Sequence, residues 1–339
     1  MSLPDWARAH GAPVMSVCIR AVPDDFQVTE ELGYEFTGDG EHDFLWIEKT
    51  RANTEWLSRQ LARFAEVQAK DVGYAGLKDR HAVTRQWFSV PRWHGPDWSA
   101  FDAEGVSILE VRRHNKKLRR GAHKANRFRI VLRGEGIAEH VPELEQRVQE
   151  IREQGVPNYF GEQRFGRDGN NLELANAWAA GKRLPRHKRS IAISTIRSFL
   201  FNESLHERVT DGNWNHLLPG ARANLDGTGS VFDVDELGPE LVRRCAEMDI
   251  HPAGELVGDG SACGNEAWGR ALSKARVEPG SRSLRLRVAD LTLAADADEA
   301  ALSFTLMRGA FATSVLREFV EASDASRKAD HLPQAPSQD

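Results

Sequence analysis

The sequence contains few cysteines and has no long apolar run. Its 339 residues include three cysteines, Cys18, Cys245 and Cys263, with no CxxC pair. An odd, widely spaced set argues against a disulfide framework and a structural zinc site, so a reducing cytoplasm is the expected location. No apolar segment approaches the roughly 20 residues that cross a bilayer. The N-terminus has no basic segment followed by an apolar one, so neither a membrane association nor a secretory signal is predicted.

The common signatures of cofactor and metal chemistry are also missing. The chain has no GxxxxGK[ST] loop, no GxGxxG between a strand and a helix, no HExxH and no GxSxG. These patterns bind phosphates, zinc or an activated serine because their spacing places the required groups on one turn or one helix face. The histidines and cysteines do not have the spacing of metal ligands either. We therefore predict no nucleotide cofactor and no metal.

Acidic residues are absent from one segment of an otherwise acidic protein. The net charge is −5, yet residues 111–134 hold ten Lys or Arg and no Asp or Glu. A concentrated basic segment can bind a polyanion locally although the whole protein repels polyanions. A solvated charged face is the alternative interpretation. Because no acid compensates the charge, we favour a polyanion site.

The order of predicted elements indicates an α+β protein with an insertion. Apolar alternation predicts strands near residues 26–30, 42–49, 86–90, 106–111 and 127–133. Helices are expected after a cap at Asn53 or Thr54, and over 141–151, where Gly155 and Pro157 end the second. The middle of the chain then becomes more helical, with caps expected at Asn171 and Ser194 and a loop at 217–229. Strands return near 284–293 and 301–307, followed by a short helix at 313–320.

One strand is expected to present cations on its exposed side. Residues 127–133 (RFRIVLR) alternate between Phe128, Ile130 and Leu132 on one face and arginines on the other. Just before this strand, residues 114–126 combine cations for phosphates with Asn126, an amide able to bind a base edge. An aromatic ring at 128 can stack on a base or simply belong to the core, and both interpretations hold if that face lines a cleft.

A short polar segment is the best candidate for catalysis. Lys78-Asp79-Arg80-His81 lies between an apolar, glycine-containing stretch and a predicted strand. Neighbouring positive charge favours the ionised form of a carboxylate, which a nucleophile or general base requires. The alternative is a surface turn with local ion pairing.

Together these segments resemble the TruD family of pseudouridine synthases. Five motifs occur in the family's order: PDDFQVTE, AGLKDRHAVT, a tract from LRRG to Phe128, GVPNYFGEQRFG and GAFATSVLRE. They occupy residues 23–30, 75–84, 118–128, 155–166 and 309–318. The resemblance implies the pseudouridine synthase catalytic fold, α+β with a mixed, largely antiparallel sheet, interrupted by a TruD-specific α/β insertion domain.

The same resemblance implies boundaries and a substrate. The catalytic domain is expected at 1–154 plus 284–321, the insertion at 155–283 and a disordered tail at 322–339. The family substrate is uridine 13 of tRNA, which becomes pseudouridine when the N1–C1′ bond breaks and the uracil rejoins through C5. That isomerisation needs no redox change, nucleotide energy or metal, in agreement with the missing motifs. A monomer is expected because no coiled-coil pattern is present.

Site residues follow from the matching motif positions. Asp79 matches the nucleophilic aspartate, which attacks C1′ or C6 or removes the C2′ proton. The predicted substrate-binding residues are Phe26, Asn126, Phe128, Phe311 and Arg20, the last as a basic partner of Asp79. The predicted phosphate contacts are Lys78, Arg80, His81, Lys116, Lys117, Arg119, Arg120 and Lys124. Two other classes remain open: a non-catalytic tRNA-binding module or RNA chaperone, and a metal-dependent nucleic-acid hydrolase, which would need further acids beside Asp79.

Overall fold

The structure, a computed structural model, describes residues 3–166, 169–296 and 298–326. The described residues form sixteen β-strands and seven α-helices. The strands are β1 (Ser16–Ile19), β2 (Phe26–Leu32), β3 (His42–Lys49), β4 (Gly73–Tyr74), β5 (Val83–Pro91), β6 (Val106–His114), β7 (His123–Arg133), β8 (Val156–Pro157), β9 (Ala221–Leu225), β10 (Val231–Val234), β11 (Ile250–Leu256), β12 (Gly280–Ser283), β13 (Arg285–Leu286), β14 (Ala289–Ala295), β15 (Glu299–Met307) and β16 (Glu321–Asp324). The helices are α1 (Thr54–Phe64), α2 (Ile137–Gln154), α3 (Asn170–Ala179), α4 (Arg186–Thr210), α5 (Pro239–Ala246), α6 (Glu266–Lys274) and α7 (Ala312–Phe319).

The chain divides into two compact units, each built from separate segments. The sheet unit consists of Val14–Val148, Ala289–Gly309 and the described chain from Val320 onward. The helical unit consists of the described chain up to Pro13, together with Gln149–Val288 and Ala310–Phe319.

A ten-stranded sheet forms the sheet unit. Its central order is β14-β15-β7-β2-β5-β3-β6, while β1 pairs with β7 and β16, and β4 pairs with β5. The pairs β2–β5 and β1–β16 are parallel and the others are antiparallel. The prediction of a mixed, largely antiparallel sheet is therefore confirmed.

The interior strand β7 follows the predicted alternation. Phe128, Ile130 and Leu132 are buried, whereas Arg127 and Arg129 are exposed. Successive side chains of a strand point to opposite faces, so one face of β7 joins the core and the other carries cations.

Helix α1 shows how local sequence sets an element. The Asn53 side chain accepts hydrogen bonds from the backbone N–H groups of Glu55 and Trp56, at 2.8 and 3.4 Å. Such a cap satisfies N–H groups that lack partners in the first turn. Leu57 and Leu61 are fully buried against β3 and β5, including Phe88. Of the two predicted caps, Asn53 is the one used.

The helical unit has two small sheets and a helical core. Strands β10-β9-β11-β12 form one sheet, and β8 pairs with β13. The core of α3, α4 and α6 includes Leu172, Ile196, Trp268 and Leu272, all buried. Among the described residues, none of the helices combines the length and the apolarity that crossing a membrane requires.

Four local expectations differ from the structure. Asn171 lies in the first turn of α3 rather than at its cap, because the helix begins at Asn170 after Gly169. Ser194 lies inside α4 rather than at a cap, because the helix begins at Arg186 after Pro185 and continues without a break. The predicted loop at 217–229 contains β9, which is held by pairing with β10 and β11. Residues 322–324, predicted to begin the tail, belong to β16 and pair with β1. The tail from 327 onward lies outside the described residues.

Candidate active site

Asp79 lies in the loop between β4 and β5, and both of its carboxylate oxygens are held. Oδ2 lies 3.0 Å from Nη2 of Arg20, and Oδ1 accepts a 2.9 Å hydrogen bond from the backbone N–H of His81. The Asp79 side chain is 32% exposed, whereas that of Arg20 is only 7% exposed. Bonds from charged and N–H donors stabilise a carboxylate and restrict its orientation. The result is a fixed anion that a ligand can still reach.

Arg20 is itself anchored on two further sides. Its Nη1 lies 2.6 Å from Oδ2 of Asp324, on β16 beside β1. Its guanidinium carbon also lies 3.9 Å from the centre of the Phe26 ring, a cation–π contact. Burial alone would raise the pKa of Asp324, but hydrogen bonds from Ser326 and the charge of Arg20 outweigh it and lower that pKa. Arg20 thus links Asp79 to a second carboxylate.

Strands β2 and β7 place the predicted base-pocket residues in adjacent positions. In the antiparallel register Glu30 faces Asn126, and Val28 faces Phe128. Phe26 and Phe128 meet edge to face with ring centres 6.2 Å apart. The side-chain oxygen of Asn126 is buried and has no hydrogen-bond partner among the described residues. A buried acceptor without a partner is unusual and marks a position where a ligand donor can bind.

Phe128 is part of the core. Its ring stacks on Phe304 with centres 5.4 Å apart and an angle of 28° between the planes, and the residue is 9% exposed. One face is therefore covered by Phe304 and an edge contact is made by Phe26. These contacts favour the core interpretation of Phe128 over that of an open stacking platform.

The basic segment is joined to the loop that carries Asp79. Residues 115–122 connect β6 to β7, and the N–H of Gly121 donates a 2.7 Å hydrogen bond to the carbonyl of Ala75. A Cβ at Gly73 would lie 2.3 Å from the carbonyl oxygen of Leu118, so only glycine permits this close approach. The basic loop and the candidate nucleophile are therefore neighbours.

Most cations of this loop are exposed. None of the described ion pairs includes a cation of the loop or Lys124, the second residue of β7. These cations are Lys116, Lys117, Arg119, Arg120 and Lys124. Lys117 donates to the carbonyl of Lys70, and the Arg120 guanidinium carbon lies 3.4 Å from the centre of the Tyr74 ring. Exposed cations without carboxylate partners are available for phosphates.

Lys78 differs from the other predicted phosphate contacts. Its ammonium lies 2.6 Å from Oε2 of Glu30, and its side chain is only 6% exposed. A buried, ion-paired lysine cannot reach a phosphate without breaking that pair. Arg80 is exposed, and His81 contributes its backbone N–H to Asp79.

Comparison with known proteins identifies the family. The family model described as tRNA pseudouridine synthase D (TruD) matches residues 9–176 and 170–319. This chain belongs to the TruD family.

Individual relatives in that family span nearly the whole chain. A protein from Methylococcus capsulatus (strain Bath), named tRNA pseudouridine synthase D, is 46% identical over 338 residues and covers 94% of each chain. A protein of the same name from Aeromonas hydrophila is 43% identical, covering 95% of this chain and 96% of its own.

A solved structure shares the TruD fold. The structure from Methanosarcina mazei that bears the name tRNA pseudouridine synthase D (TruD) superposes with a TM-score of 0.74. It covers 95% of this chain and 99% of its own at 19% identity. At that identity the likeness concerns the fold alone, and it confirms the predicted pseudouridine synthase fold.

Phe311 belongs to the helical unit, unlike the other predicted pocket residues. Its ring meets Phe160 edge on with centres 6.0 Å apart, and the Arg164 guanidinium carbon lies 5.9 Å from its centre. A Cβ at Gly161 would lie 2.6 Å from the hydroxyl of Thr313 and 3.3 Å from the Phe311 ring. Glycine is therefore required where the YFG segment packs on α7.

Three residues around Asp79 were missed from the sequence. Glu30 and Asp324 supply the carboxylates that pair with Lys78 and Arg20. Lys49, at the end of β3, is fully buried and donates to the carbonyl of Asp79. A signal for Lys49 existed, because it alternates with Leu45 and Ile47 on the buried face of its strand.

Proposed function

We propose that this TruD-family chain converts uridine 13 of tRNA to pseudouridine, with Asp79 acting directly on the target nucleotide. The observation that carries the proposal is the Asp79 carboxylate, fixed by Arg20 and by the His81 N–H yet one-third exposed. A preorganised anion of this kind serves as a nucleophile or base without having to reorient during the reaction.

The reaction is an isomerisation. The N1–C1′ bond breaks, the uracil turns, C5 bonds to C1′, and C5 loses a proton while N1 gains one. Asp79 can begin the reaction in one of three alternative ways: by attacking C1′, by attacking C6, or by removing the C2′ proton to give a glycal. In each of them Arg20 stabilises the Asp79 carboxylate and holds its direction.

Asn126 is the proposed contact for the uracil edge. Uracil presents an N3–H donor between two carbonyl acceptors, and the buried Asn126 oxygen has no partner among the described residues. A bond between them would satisfy that acceptor, with Phe26 and Phe128 as apolar walls. Recognition of an unpaired base by its edge is typical of enzymes that modify RNA bases.

The exposed loop cations are proposed to bind the tRNA backbone. Extruding a stacked nucleotide costs a few kcal/mol, and phosphate contacts on both sides of the target offset part of that cost. The proposed set of cations is Arg80, Lys116, Lys117, Arg119, Arg120 and Lys124, without Lys78. His81, which is half-buried and accepts a 2.9 Å hydrogen bond from the Arg80 guanidinium, is proposed as a further phosphate contact.

Further proposals concern organisation and setting. We assign catalysis to the sheet unit, which holds Asp79, Arg20 and Asn126, and we place the family's insertion, residues 155–283, in the helical unit. We propose that the protein acts in the cytoplasm as a monomer, with tRNA as partner and without a nucleotide cofactor or metal.

A position-specific assay tests the function. Purified protein is incubated with unmodified tRNA, and pseudouridine is mapped by carbodiimide treatment and primer extension. We expect a single new stop at uridine 13 and none in a matched tRNA that has cytidine there. Modification at another uridine would support pseudouridine synthase activity but contradict the proposed position 13. Tight binding of tRNA without any modification would favour the non-catalytic binding module instead.

The basic loop makes a separate prediction about salt. The double substitution Lys116→Gln and Arg119→Gln is expected to weaken tRNA binding and to reduce the slope of log affinity against log salt by about 1.4–1.8, since each lost phosphate contact contributes about 0.7–0.9. Affinity is measured at several salt concentrations. The control Arg270→Gln removes an exposed cation of α6 that pairs with Glu266 and is expected to leave the slope unchanged. An unchanged slope in the double variant would remove this loop from the tRNA interface.

A further inference from the structure

Lys49 is a charged residue in a place where charge is costly. It is the last residue of β3 and its side chain is 0% exposed. Buried ammonium groups are normally paired with carboxylates because desolvation of the charge is unfavourable. Among the described residues no carboxylate lies at ion-pair distance from Lys49. Its ammonium instead donates to two backbone carbonyls, that of Ala52 at 2.8 Å and that of Asp79 at 3.3 Å.

The bond to Asp79 belongs to a set that fixes the whole loop before β5. The hydroxyl of Thr54 accepts from the Lys78 N–H at 3.1 Å, and the Gln86 amide donates to the Gly76 carbonyl at 3.2 Å. The Thr54 hydroxyl also lies 3.1 Å from the Gln86 side-chain oxygen, to which it donates. The main chain is thereby held at residues 76, 78 and 79, and Lys49 is the only charged member of this set among the described residues.

Asp79 is consequently held from two directions. Arg20 and the His81 N–H fix the carboxylate, while Lys49 fixes the carbonyl of the same residue. An apolar side chain of the same length would fill the space around Lys49 without a desolvation cost. The charge therefore contributes something that packing cannot: a charge-assisted hydrogen bond to the Asp79 carbonyl and a favourable electrostatic interaction with Asp79.

We propose that Lys49 is a positioning residue for pseudouridine formation, whose buried ammonium holds the Asp79 main chain so that its carboxylate keeps the productive orientation. The inference rests on the proposed role of Asp79. Lys49 does not touch the substrate. It acts through Asp79, and its loss is expected to slow the chemical step without weakening tRNA binding.

The titration of Lys49 predicts a pH dependence of the reaction rate that a purely structural role of Lys49 would not produce. Burial lowers the pKa of the Lys49 ammonium to about 8, Asp79 opposes that shift, and the nearby charge of Lys78 adds to it. The residues opposite Lys49 in β5 and β6, Thr84 and Val106, are uncharged. Lys49 is thus charged below about pH 8 and neutral above it. Its support of Asp79 should be complete at neutral pH and lost on the alkaline side.

The test compares four proteins in single-turnover pseudouridine formation from neutral to alkaline pH, with tRNA affinity measured in parallel. They are the wild type, Lys49→Arg, Lys49→Met and the control Lys274→Met, the same change at an exposed lysine that ends α6. We expect the wild-type and control rates to fall with a midpoint near pH 8. Lys49→Arg should lack this fall, because arginine stays charged. Lys49→Met should react about 100-fold more slowly at neutral pH, the size of effect expected from a misplacement of about 1 Å. Any effect of pH on the tRNA itself would appear equally with all four proteins, so it does not affect the comparison.

The outcomes separate this inference from the proposed function. An alkaline fall in Lys49→Arg equal to that of the wild type, or a wild-type rate for Lys49→Met, would overturn the role of Lys49 alone. Should Lys49→Met not fold, as judged by circular dichroism, the comparison of the wild type with Lys49→Arg decides by itself. A wild type that forms no pseudouridine would overturn the proposed function and this inference with it.

Discussion

The Asp79→Asn substitution is expected to lower the rate of pseudouridine formation by about 10³-fold or more, with tRNA binding retained. The amide has nearly the shape of the carboxylate, and its oxygen can still accept the His81 N–H. It has neither the negative charge nor the nucleophilicity that attack or proton removal requires. Arg20 keeps its second partner, Asp324, so the surrounding structure should survive.

The measurement is a single-turnover time course under saturating enzyme, with binding followed separately by filter retention. A matched control is Asp102→Asn, the same chemical change at an exposed position of the sheet unit, which should react at the wild-type rate. Removing a general base is expected to slow a reaction by at least about 100-fold. If Asp79→Asn kept more than about a tenth of the wild-type rate, its loss would be smaller than that, and Asp79 would not be the catalytic group. Loss of both activity and binding would point instead to a damaged fold.

The sequence predicts this site only as far as local chemistry determines it. The Lys78-Asp79-Arg80-His81 segment shows a carboxylate among cations, and that pattern marks Asp79. The partner that holds the carboxylate is Arg20, 59 positions earlier in the numbering, brought to Asp79 by the pairing of β1 with β7 and β16. Lys78, the adjacent cation, turns away to Glu30. Adjacency in the sequence therefore does not predict which residues form ion pairs when a sheet brings distant strands together.

The same limit applies to secondary structure. The alternation of β7 and the cap of α1 are local signals, and both predict the observed elements. Strand β9 was predicted as loop because glycines and a proline surround Ala221–Leu225, while the bonds that make it a strand come from β10 and β11. Likewise β16 has no apolar pattern of its own, and it exists through parallel pairing with β1.

The buried pair formed by Lys78 and Glu30 yields the largest expected effect on stability. The Glu30 side chain is 0% exposed, and its Oε2 lies 2.6 Å from the Lys78 ammonium. Its other oxygen accepts from the backbone N–H of Trp87 at 3.2 Å. Lys78→Met would leave a buried carboxylate with that single N–H as its remaining described partner. Breaking a buried pair on one side costs about 3–5 kcal/mol, mostly because the remaining charge is uncompensated.

We therefore expect Lys78→Met to lower the free energy of unfolding by about 3–5 kcal/mol in urea titrations. The double variant Lys78→Met with Glu30→Gln should recover at least half of the loss, because the neutral amide keeps its bond to the Trp87 N–H and needs no counter-charge. For comparison, Arg270→Met breaks an exposed pair with Glu266, whose side chains are 73% and 86% exposed, and should cost less than about 1 kcal/mol.

Recovery in the double variant is the decisive part of this experiment. If the cost of Lys78→Met came from lost packing of the lysine stem, neutralising Glu30 would not restore stability, and the two substitutions would simply add. If it comes from the stranded charge, the second substitution compensates the first. A loss below about 1 kcal/mol for Lys78→Met, the range of an exposed pair, would show that Glu30 finds another partner or takes up a proton. The pair with Glu30 would then cost little to break, and Lys78 could leave Glu30 to contact a phosphate, as its position beside Asp79 in the sequence predicts.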